Sequence, residues 1–396
     1  MKPTDSGKYG LSVRYGPEMR VLIIGGGISG LTLAGLLQQR GFRPTVVERT
    51  PEYGDAGYII VLWPSGSRIL KGLGLYRKLL DAGIPFSTYN VWNERGEMLR
   101  SYSVESVTEK YGPMISIHRP ELINVLREAV DPDTIRMNTT VNKIRQTADE
   151  VNVTFSDGRE ETFDLVVGCD GVRSKTREMV FGHVPLTYSG MKGWSFWVKS
   201  GLLKTAQIAE YWGTGKFLGI WPTKGRLSVF TSIRSPEGLP GPVEDRVSII
   251  EEHFKDFGGI VPDILAELDN ESQIYFDDYN DLRMDKWYRG RVVLSGDSAH
   301  AVLPTAGGGV SMAIESAAVL ADELSRADSK YIAHALESYE SRRRPRVIKI
   351  QDQSRMMGKV AFADSRVLSY ARNFVMRFYS NRLHVKYWDT MLKEPI

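Results

Sequence analysis

The sequence has 396 residues, 42% hydrophobic and 25% charged, which is ordinary globular composition with room for about two domains. The 51 basic and 48 acidic residues nearly balance, which argues against nucleic acid as a partner and favours a small molecule. The single cysteine, Cys169, excludes an intrachain disulfide and a multi-cysteine metal site. The first ten residues are polar and no apolar run reaches the ~18 residues of a membrane-spanning helix, so we expect a cytoplasmic protein without a transmembrane segment.

The chain opens with the pattern of a strand, a glycine turn and a helix. Val21 to Ile24 is a short apolar run, and a helical pattern follows from Ser29 to Arg40 and stops at Gly41. Thr45 to Val47 form a second buried strand. Since a βαβ unit of this length connects parallel strands, the pattern predicts a nucleotide-binding fold.

The next pattern is that of a hairpin. Apolar and polar residues alternate from Val151 to Phe155, a turn follows at positions 157–158, and a second strand runs through 163–167. We predict that this hairpin returns to the parallel sheet.

The later part of the chain changes character three times. Strands between Tyr188 and Ile233 are dense in aromatic residues, which indicates a separate domain. The run Val292 to Leu294 returns to sheet character, and a glycine-rich loop from Gly296 leads into a helix that ends near Arg326. Beyond Tyr331 the pattern is helical, and we expect a helical cap.

Three glycines mark the turn of the βαβ unit. Gly25, Gly27 and Gly30 form G-x-G-x-x-G, in which the first allows a tight turn, the second admits a pyrophosphate and the third lets helix and strand pack closely. Glu48 lies 18 residues after Gly30, where a carboxylate accepts ribose hydroxyls. The motif predicts a dinucleotide held at a helix N-terminus, and it does not separate NAD from FAD.

Two later segments decide between these cofactors. Asp170 opens D-G-x-x-S-x-x-R directly after a strand, and Leu294 to His300 reads L-S-G-D-S-A-H and leads to Pro304 and three glycines. With the first motif, in this order and at these separations, they resemble the group A flavoprotein monooxygenases of the p-hydroxybenzoate hydroxylase fold. The resemblance spans most of the chain and implies FAD as the bound cofactor.

The resemblance also implies roles for individual residues. Asp297 would accept hydrogen bonds from the FAD ribityl chain, and Arg119, just before Pro120 at a helix start, would contact the flavin side. Amides near Gly308 would face the flavin pyrimidine, where reduction leaves negative charge. The complete set implied for the cofactor is Gly25, Gly27, Gly30, Glu48, Arg49, Arg119, Asp170, Asp297, Pro304, Gly307, Gly308 and Gly309.

Several of these residues also have plain structural explanations. Asp170 would serve the pyrophosphate region and the nicotinamide approach, and a turn-capping aspartate explains it nearly as well. Arg119 could equally be a surface arginine at a helix start. Ser311 and Glu315 stand where many family members carry asparagine and aspartate, so a side-chain contact to the flavin would be lost. His300 is expected to be a packing residue.

The implied fold class is α/β, with a discontinuous Rossmann-like FAD-binding domain, an inserted, mostly antiparallel β substrate domain and C-terminal helices. We assign residues 1–80, 105–180 and 288–330 to the FAD-binding domain. Residues 81–104 and 181–287 form the substrate domain, and 331–396 form the C-terminal helical segment.

The aromatic residues of the middle segment and the basic residues of the tail allow two readings each. Strand aromatics are either sheet core or the wall of a pocket for a flat ligand, and the candidates are Trp194, Phe196, Tyr211, Trp212, Phe217 and Trp221. The arginines of the run 342–346 suggest nucleic acid or membrane, but family members carry them too. The tail around Phe374 has helical amphipathic spacing, and we expect its apolar side to pack on the catalytic domain rather than on a membrane.

The resemblance implies an FAD-dependent monooxygenase. NADH or NADPH would be the transient reductant, and O2 would form a flavin hydroperoxide that hydroxylates or epoxidises a bulky aromatic or polycyclic substrate. A halogenase is less favoured, since Trp194 to Trp197 reads W-x-x-W rather than W-x-W-x-I-P, and a reductase is less favoured, since Gly219 to Pro222 does not reproduce the Tyr-Trp-Phe-Pro segment of that class. An FAD-containing ligand-binding protein stays possible. We assign no catalytic base and no metal ligand, and expect a monomer or homodimer.

Overall fold

The computed structural model describes residues 16–54, 57–199, 201, 207–238, 243–269 and 272–394. The polar first ten residues, which the sequence analysis used, lie outside these ranges. Within them, no helix has both the length and the apolar character needed to cross a bilayer.

The secondary structure alternates between sheet and helix for most of the chain. The strands are β1 Val21–Ile24, β2 Thr45–Val47, β3 Ile59–Leu62, β4 Ile84–Phe86, β5 Thr88–Asn93, β6 Met98–Ser103, β7 Met114–His118, β8 Ile135–Arg136, β9 Val141–Gln146, β10 Val151–Phe155, β11 Glu160–Phe163, β12 Leu165–Gly168, β13 Thr187–Lys199, β14 Ile208–Trp212, β15 Lys216–Thr223, β16 Arg226–Arg234, β17 Tyr275–Asp281, β18 Tyr288–Arg289 and β19 Val292–Leu294. The helices are α1 Ile28–Gln39, α2 Pro64–Gly72, α3 Tyr76–Ala82, α4 Glu105–Tyr111, α5 Arg119–Arg127, α6 Lys175–Phe181, α7 Arg246–Phe254, α8 Val261–Leu265, α9 Asp297–His300, α10 Gly309–Ser325, α11 Ile332–Ala361, α12 Arg366–Phe378 and α13 Asn381–Leu392.

A six-stranded sheet in the order β18-β19-β12-β1-β2-β8 carries the glycine turn. Its neighbours are parallel except for β18, which is antiparallel to β19. Alternate residues of its strands enter two different cores: Ile23 and Val167 pack with the helices, whereas Leu22 and Val166 pack with Phe155 of β10. Both faces are therefore covered, which explains why these strands read as continuous apolar runs.

The hairpin that we expected to return to this sheet does not do so. β10 pairs with β9 and β11 in a separate three-stranded antiparallel sheet, and only β12 joins the parallel sheet. The single strand expected over 163–167 is therefore wrong. Asp164 separates the two strands: its backbone N–H donates to Arg20 O at 2.9 Å and its carboxylate accepts from Arg20 N at 2.7 Å, which directs the chain onto the edge of β1.

A seven-stranded sheet in the order β17-β13-β16-β15-β14-β5-β6 forms the second large layer. Its pairs are antiparallel except β14 with β5, and this pair brings residues 88–103 into the sheet of the aromatic strands. One face packs on α7 and α8 through residues such as Leu218 and Val229. The other face carries Phe217 and Tyr279, together with Leu303 of the loop after α9. A small antiparallel sheet, β3-β7-β4, completes the fold.

The C-terminal helices follow the expected pattern, but the orientation of α12 does not. Its buried residues are Ser369 and Arg372, while Phe374 is 66% and Phe378 72% exposed. Arg372 donates to Ala361 O at 2.7 Å, near the end of α11, and to Trp212 O at 3.1 Å. The expectation that the apolar side of this helix packs on the catalytic domain is therefore wrong, because free carbonyl groups draw the arginine inward.

A buried ion cluster joins α10 to α11. The Glu315 carboxylate accepts from Arg346 Nε at 2.6 Å and Nη2 at 2.9 Å, and Arg343 Nη1 lies 2.8 Å from it. All three side chains are buried. Burial acts to raise the pKa of Glu315, but the two guanidinium groups outweigh it and hold that pKa below its usual value. Two arginines of the basic run thus neutralise a core carboxylate.

Replacing Arg346 by methionine should lower the free energy of unfolding by about 2–3 kcal/mol, because the buried Glu315 carboxylate would keep Arg343 but lose its two hydrogen bonds from Arg346. Urea denaturation followed by tryptophan fluorescence measures the change. Arg342→Met is the matched control, since Arg342 pairs with Asp322 and Glu323 near the surface and its loss should cost less than about 1 kcal/mol. Equal losses in the two variants would contradict the role given to the cluster.

Candidate functional site

The glycine turn between β1 and α1 has the geometry that its motif predicts. Gly25 has a φ of +108°, and a Cβ there would lie 2.4 Å from Cys169 O. A Cβ at Gly30 would lie 1.9 Å from Gly25 O, so helix and turn are in direct backbone contact. A Cβ at Gly27 would meet nothing within 4 Å. The first and third glycines are thus required by packing, and the second faces open space at the N-terminus of α1, where a phosphate group fits.

Glu48 lies beside this turn at the end of β2. Its Oε2 accepts from Gly26 N at 2.8 Å, and its Oε1 accepts from Thr50 N at 3.1 Å. The hydroxyl of Tyr53 lies close to Gly26 and is buried without a partner among the described residues, and burial raises the pKa of Tyr53 to about 12. Arg49 is exposed next to Glu48. An oriented carboxylate and an unpaired hydroxyl fit a ligand with sugar hydroxyls.

Asp297 begins the short helix α9. Its side chain is accessible to solvent. Protein atoms around the carboxylate nevertheless displace much of the water and raise its pKa, and the charge of Arg119 partly offsets this rise. The carboxylate forms no hydrogen bond with any described residue. Tyr58 lies in the same place, since Arg119 and Asp297 both act on its pKa, which burial raises. Asp297 and Tyr58 are thus close to Arg119 and accessible from outside, so the Asp297 carboxylate is free to accept from a ligand.

The loop from Pro304 to Gly309 lies on the ring of Trp63. A Cβ at Gly308 would lie 2.9 Å from that ring, and Gly307 has a φ of +63°, so neither position accepts a side chain without strain. α10 begins at Gly309 with no side-chain cap, which leaves its first amides available to an anionic group. The buried Nε1 of Trp63, close to Gly307, has no partner within the described part of the chain.

The segment around Asp170 has a structural role that links two motifs. The Asp170 carboxylate accepts from Ser174 Oγ at 2.5 Å and from Thr176 N at 2.9 Å, so it closes the turn into α6. Arg177 donates to Ser298 O at 3.0 Å and to Val172 O. The geometry favours the turn-capping alternative for Asp170, and its role toward a cofactor stays a prediction.

The six aromatic candidates divide between the two faces of the seven-stranded sheet. Strand alternation puts three of them into the core against α7 and α8, away from the glycine loop: Trp194, Phe196 and Tyr211. The others lie on the face that Leu303 joins: Trp212, Phe217 and Trp221. The placement supports a pocket role only for the second group, because the first is enclosed by helices of its own layer.

Glu210 is a candidate site residue that was not predicted from the sequence. It pairs across the strands with Gly219, over which the Trp221 and Phe217 rings lie, so the carboxylate is beside the aromatic face. Burial raises the pKa of Glu210 to about 7, although Trp212 Nε1 donates to its Oε2 at 3.0 Å. A carboxyl group that titrates near neutral pH beside an apolar surface is a candidate acid or base. Period-2 alternation from Trp212 could have indicated its side of the sheet.

Ser311 and His300 are both explained by the core. Ser311 Oγ accepts from the backbone N–H of Trp63 at 3.0 Å, so this serine supports the glycine loop from below. His300 is buried, its Nε2 lies 2.9 Å from Ser316 Oγ, and burial lowers its pKa to about 3. These contacts give both residues structural roles, as we expected for His300.

Comparisons with known proteins identify the family. The family model for the FAD-binding domain matches residues 18–243 and 263–354. The 2-heptyl-3-hydroxy-4(1H)-quinolone synthase of Pseudomonas aeruginosa is 32% identical over 373 residues, covering 92% of this chain and 97% of that protein. Aurachin C monooxygenase/isomerase of Stigmatella aurantiaca is 30% identical, covering 92% and 95%.

A solved structure shows the same architecture. The structure of Klebsiella pneumoniae HpxO with FAD and uric acid matches with a TM-score of 0.90 at 26% identity, covering 97% of this chain and 99% of that one. The fold class and the family resemblance expected from the three motifs are confirmed. The chain belongs to the group A FAD-dependent monooxygenases.

Proposed function

We propose that the protein takes reducing equivalents from NADH or NADPH and uses O2 to hydroxylate or epoxidise a bulky aromatic or polycyclic substrate. The observation that carries this proposal is the position of the aromatic face. Leu303 belongs to the same apolar cluster as Phe217 and Tyr279, and Pro304 and the glycine loop follow it directly. A flat substrate on that face would lie next to the loop that family members use for the flavin.

The described residues fit FAD along the whole cleft. The open turn at Gly27 would bind the pyrophosphate, Glu48 the ribose, and Asp297 the ribityl chain. The uncapped start of α10 would face the flavin ring and stabilise negative charge on it. When bound, FAD supplies the redox chemistry: it accepts hydride from the nicotinamide and activates dioxygen. The chain itself binds, orients and excludes water.

Glu210 would remove a proton from the substrate. Its Oε2 is held by Trp212, which leaves Oε1 to accept from a hydroxyl or ring N–H of a molecule that lies on Trp221. Deprotonation makes an aromatic ring more electron-rich and therefore easier to oxidise. A pKa of about 7 suits a base that works near neutral pH.

The relatives narrow the choice of substrates to test. One makes a quinolone that, by its name, carries a heptyl chain and a hydroxyl group, and another is named for aurachin C. The structural relative binds uric acid. Fused ring systems with an ionisable hydroxyl or N–H are therefore the first class to screen, with quinolones ahead of phenols, tetracyclines and prenylated aromatics.

The decisive experiment follows NADH and NADPH oxidation together with oxygen uptake by the purified, FAD-loaded protein. One compound should accelerate both, and its product should contain one ¹⁸O atom when the reaction is run under ¹⁸O2. If FAD is bound but no ligand allows either nicotinamide to reduce it, the proposal loses its first step. A halogenase, a reductase with another donor or a ligand-binding flavoprotein would then explain the site better.

Gly27→Val should weaken FAD binding by at least ~100-fold, because the new side chain would fill the space left for the pyrophosphate and block its charged hydrogen bonds. Flavin fluorescence titration of apoprotein measures the affinity. Gly72→Val is the matched control, since a Cβ there also meets nothing within 4 Å. Unchanged FAD affinity in Gly27→Val would show that the pyrophosphate does not use this turn.

Glu210→Gln should lower kcat about 100-fold and flatten its pH dependence. In the wild type, kcat for a substrate that is neutral in solution should rise as pH increases through about 7, because Glu210 loses its proton there. Steady-state rates between about pH 5.5 and 8.5 test this, with the exposed Glu105→Gln as control. A rising limb that survives in Glu210→Gln would assign it to another group.

A further inference from the structure

The outward side of α12 is an exposed apolar surface. Its positions follow the i, i+4, i+7, i+8 and i+11 spacing of one helix side. The large side chains on or beside it are Val367 at 78% exposed, Leu368 at 57%, Tyr370 at 61%, Phe374 at 66%, Val375 at 61% and Phe378 at 72%. Leu383 at the start of α13 continues it at 50%. A contiguous apolar surface of this kind marks an interaction site, because isolated proteins rarely expose one.

The orientation of this helix is fixed by polar contacts on its inner side. Arg372 donates to Ala361 O, Trp212 O and Gly213 O, and Ser369 Oγ donates to Ala363 O at 3.0 Å. Turning the apolar side inward would break all of these bonds. The carbonyl groups that now accept from Arg372 and Ser369 would then have no donor. The apolar surface is thus a built feature of the fold.

Basic residues predominate along the surface. Residues 366–386 contain five basic residues and no acidic ones. Arg366, Arg382 and Lys386 are exposed and form no ion pair with a described residue, whereas Arg372 is buried and Arg377 pairs with Glu97. Acidic groups from neighbouring elements are matched: Glu97 lies 3.3 Å from Arg377, Asp364 lies 2.6 Å from Arg234, and Asp389 lies 2.6 Å from Lys110. An apolar stripe with a cationic border is complementary to an anionic lipid surface.

We propose that α12 docks on the surface of an anionic bilayer, lying in the plane of the interface with Phe374 and Phe378 among the upper acyl chains. A second copy of the chain is the weaker occupant. A two-fold dimer sets the same patch against itself, so the unpaired Arg366, Arg382 and Lys386 of both copies would come together without acidic partners. A bilayer supplies both the apolar interior and the negative charge.

Docking of α12 would also affect the candidate site, and this inference rests on the proposed function. Met376 and Tyr379 pack against the apolar cluster that contains Phe217 and Leu303. Docking would therefore hold the aromatic face close to the bilayer, from which an apolar substrate with an alkyl chain could enter.

The test is flotation of the FAD-loaded protein with vesicles of phosphatidylcholine alone or with about 30% phosphatidylglycerol, which gives the vesicle surface a negative potential. The wild type should float with the anionic vesicles and should be released by salt. Phe374→Ser/Phe378→Ser should lower partitioning ~100-fold, since each ring loses its burial in the acyl region. Arg366→Gln/Arg382→Gln should lower it on the order of tenfold on anionic vesicles only.

Tyr331→Ser is the matched control, because Tyr331 is 64% exposed outside this surface and its loss should leave flotation unchanged. Flavin absorbance confirms that each variant is folded, and flotation needs no turnover, so its result is independent of the proposed reaction. Absence of vesicle binding by the wild type would overturn the proposal. So would a concentration-dependent dimer that disappears in the double Phe variant without any vesicle binding, since it would give the surface to a second copy.

Discussion

The carboxylate of Glu315 has no access to water. The two arginines that neutralise it determine where the loop from Pro304 to Gly309 lies. Glu315 is on the second turn of α10, so its bonds to Arg343 and Arg346 fix the end of the helix that begins at Gly309. α11 also reaches the loop itself, since Thr305 Oγ1 donates to Ser354 O. A buried ion pair is often no more stable than an apolar substitute, but it is specific, because any shift of one helix leaves a bare charge. The loop is therefore positioned by α11, a helix that follows it in the sequence.

The site is assembled from groups that lack partners inside the described part of the protein. The Tyr53 hydroxyl and the Trp63 indole N–H are buried and unpaired there, and the Asp297 carboxylate is exposed and forms no hydrogen bond with a described residue. Buried polar groups are normally satisfied, and each exception has a cost. These three groups lie beside the three segments that the family resemblance assigns to FAD: the turn at Gly27, the start of α9 at Asp297 and the loop at Gly307. A single ligand would satisfy them together.

The parts that could be predicted from the sequence are those whose cause is local. The roles of Gly25 and Gly30 depend on contacts within one turn and its neighbouring strand, and the buried strands had apolar patterns. The hairpin at 151–167 was only half correct, because no local signal says that Asp164 switches the chain between sheets. The side of α12 that faces inward could not be predicted either, because it is determined by hydrogen bonds from Arg372 to carbonyl groups of β14 and α11. Alternation in β14 was visible and would have separated Tyr211 from Trp212, but which face meets the loop depends on the tertiary structure.

The order of strands in the six-stranded sheet bears on how the protein is made. β1 sits between β12 and β2, and β12 in turn needs β19, so the sheet around the first glycine turn is finished by residues 292–294. The helix that begins at Gly309 follows, and α11, whose arginines bind Glu315 of that helix, comes later still. At 5–20 residues per second, a ribosome takes roughly 15–60 s to pass from Gly30 to Gly309. During that interval the nascent chain exposes half of a nucleotide site whose other half does not exist. A cofactor that contacts both segments can bind to both only after residue 309 has been synthesised, so cells short of FAD would release complete chains without it.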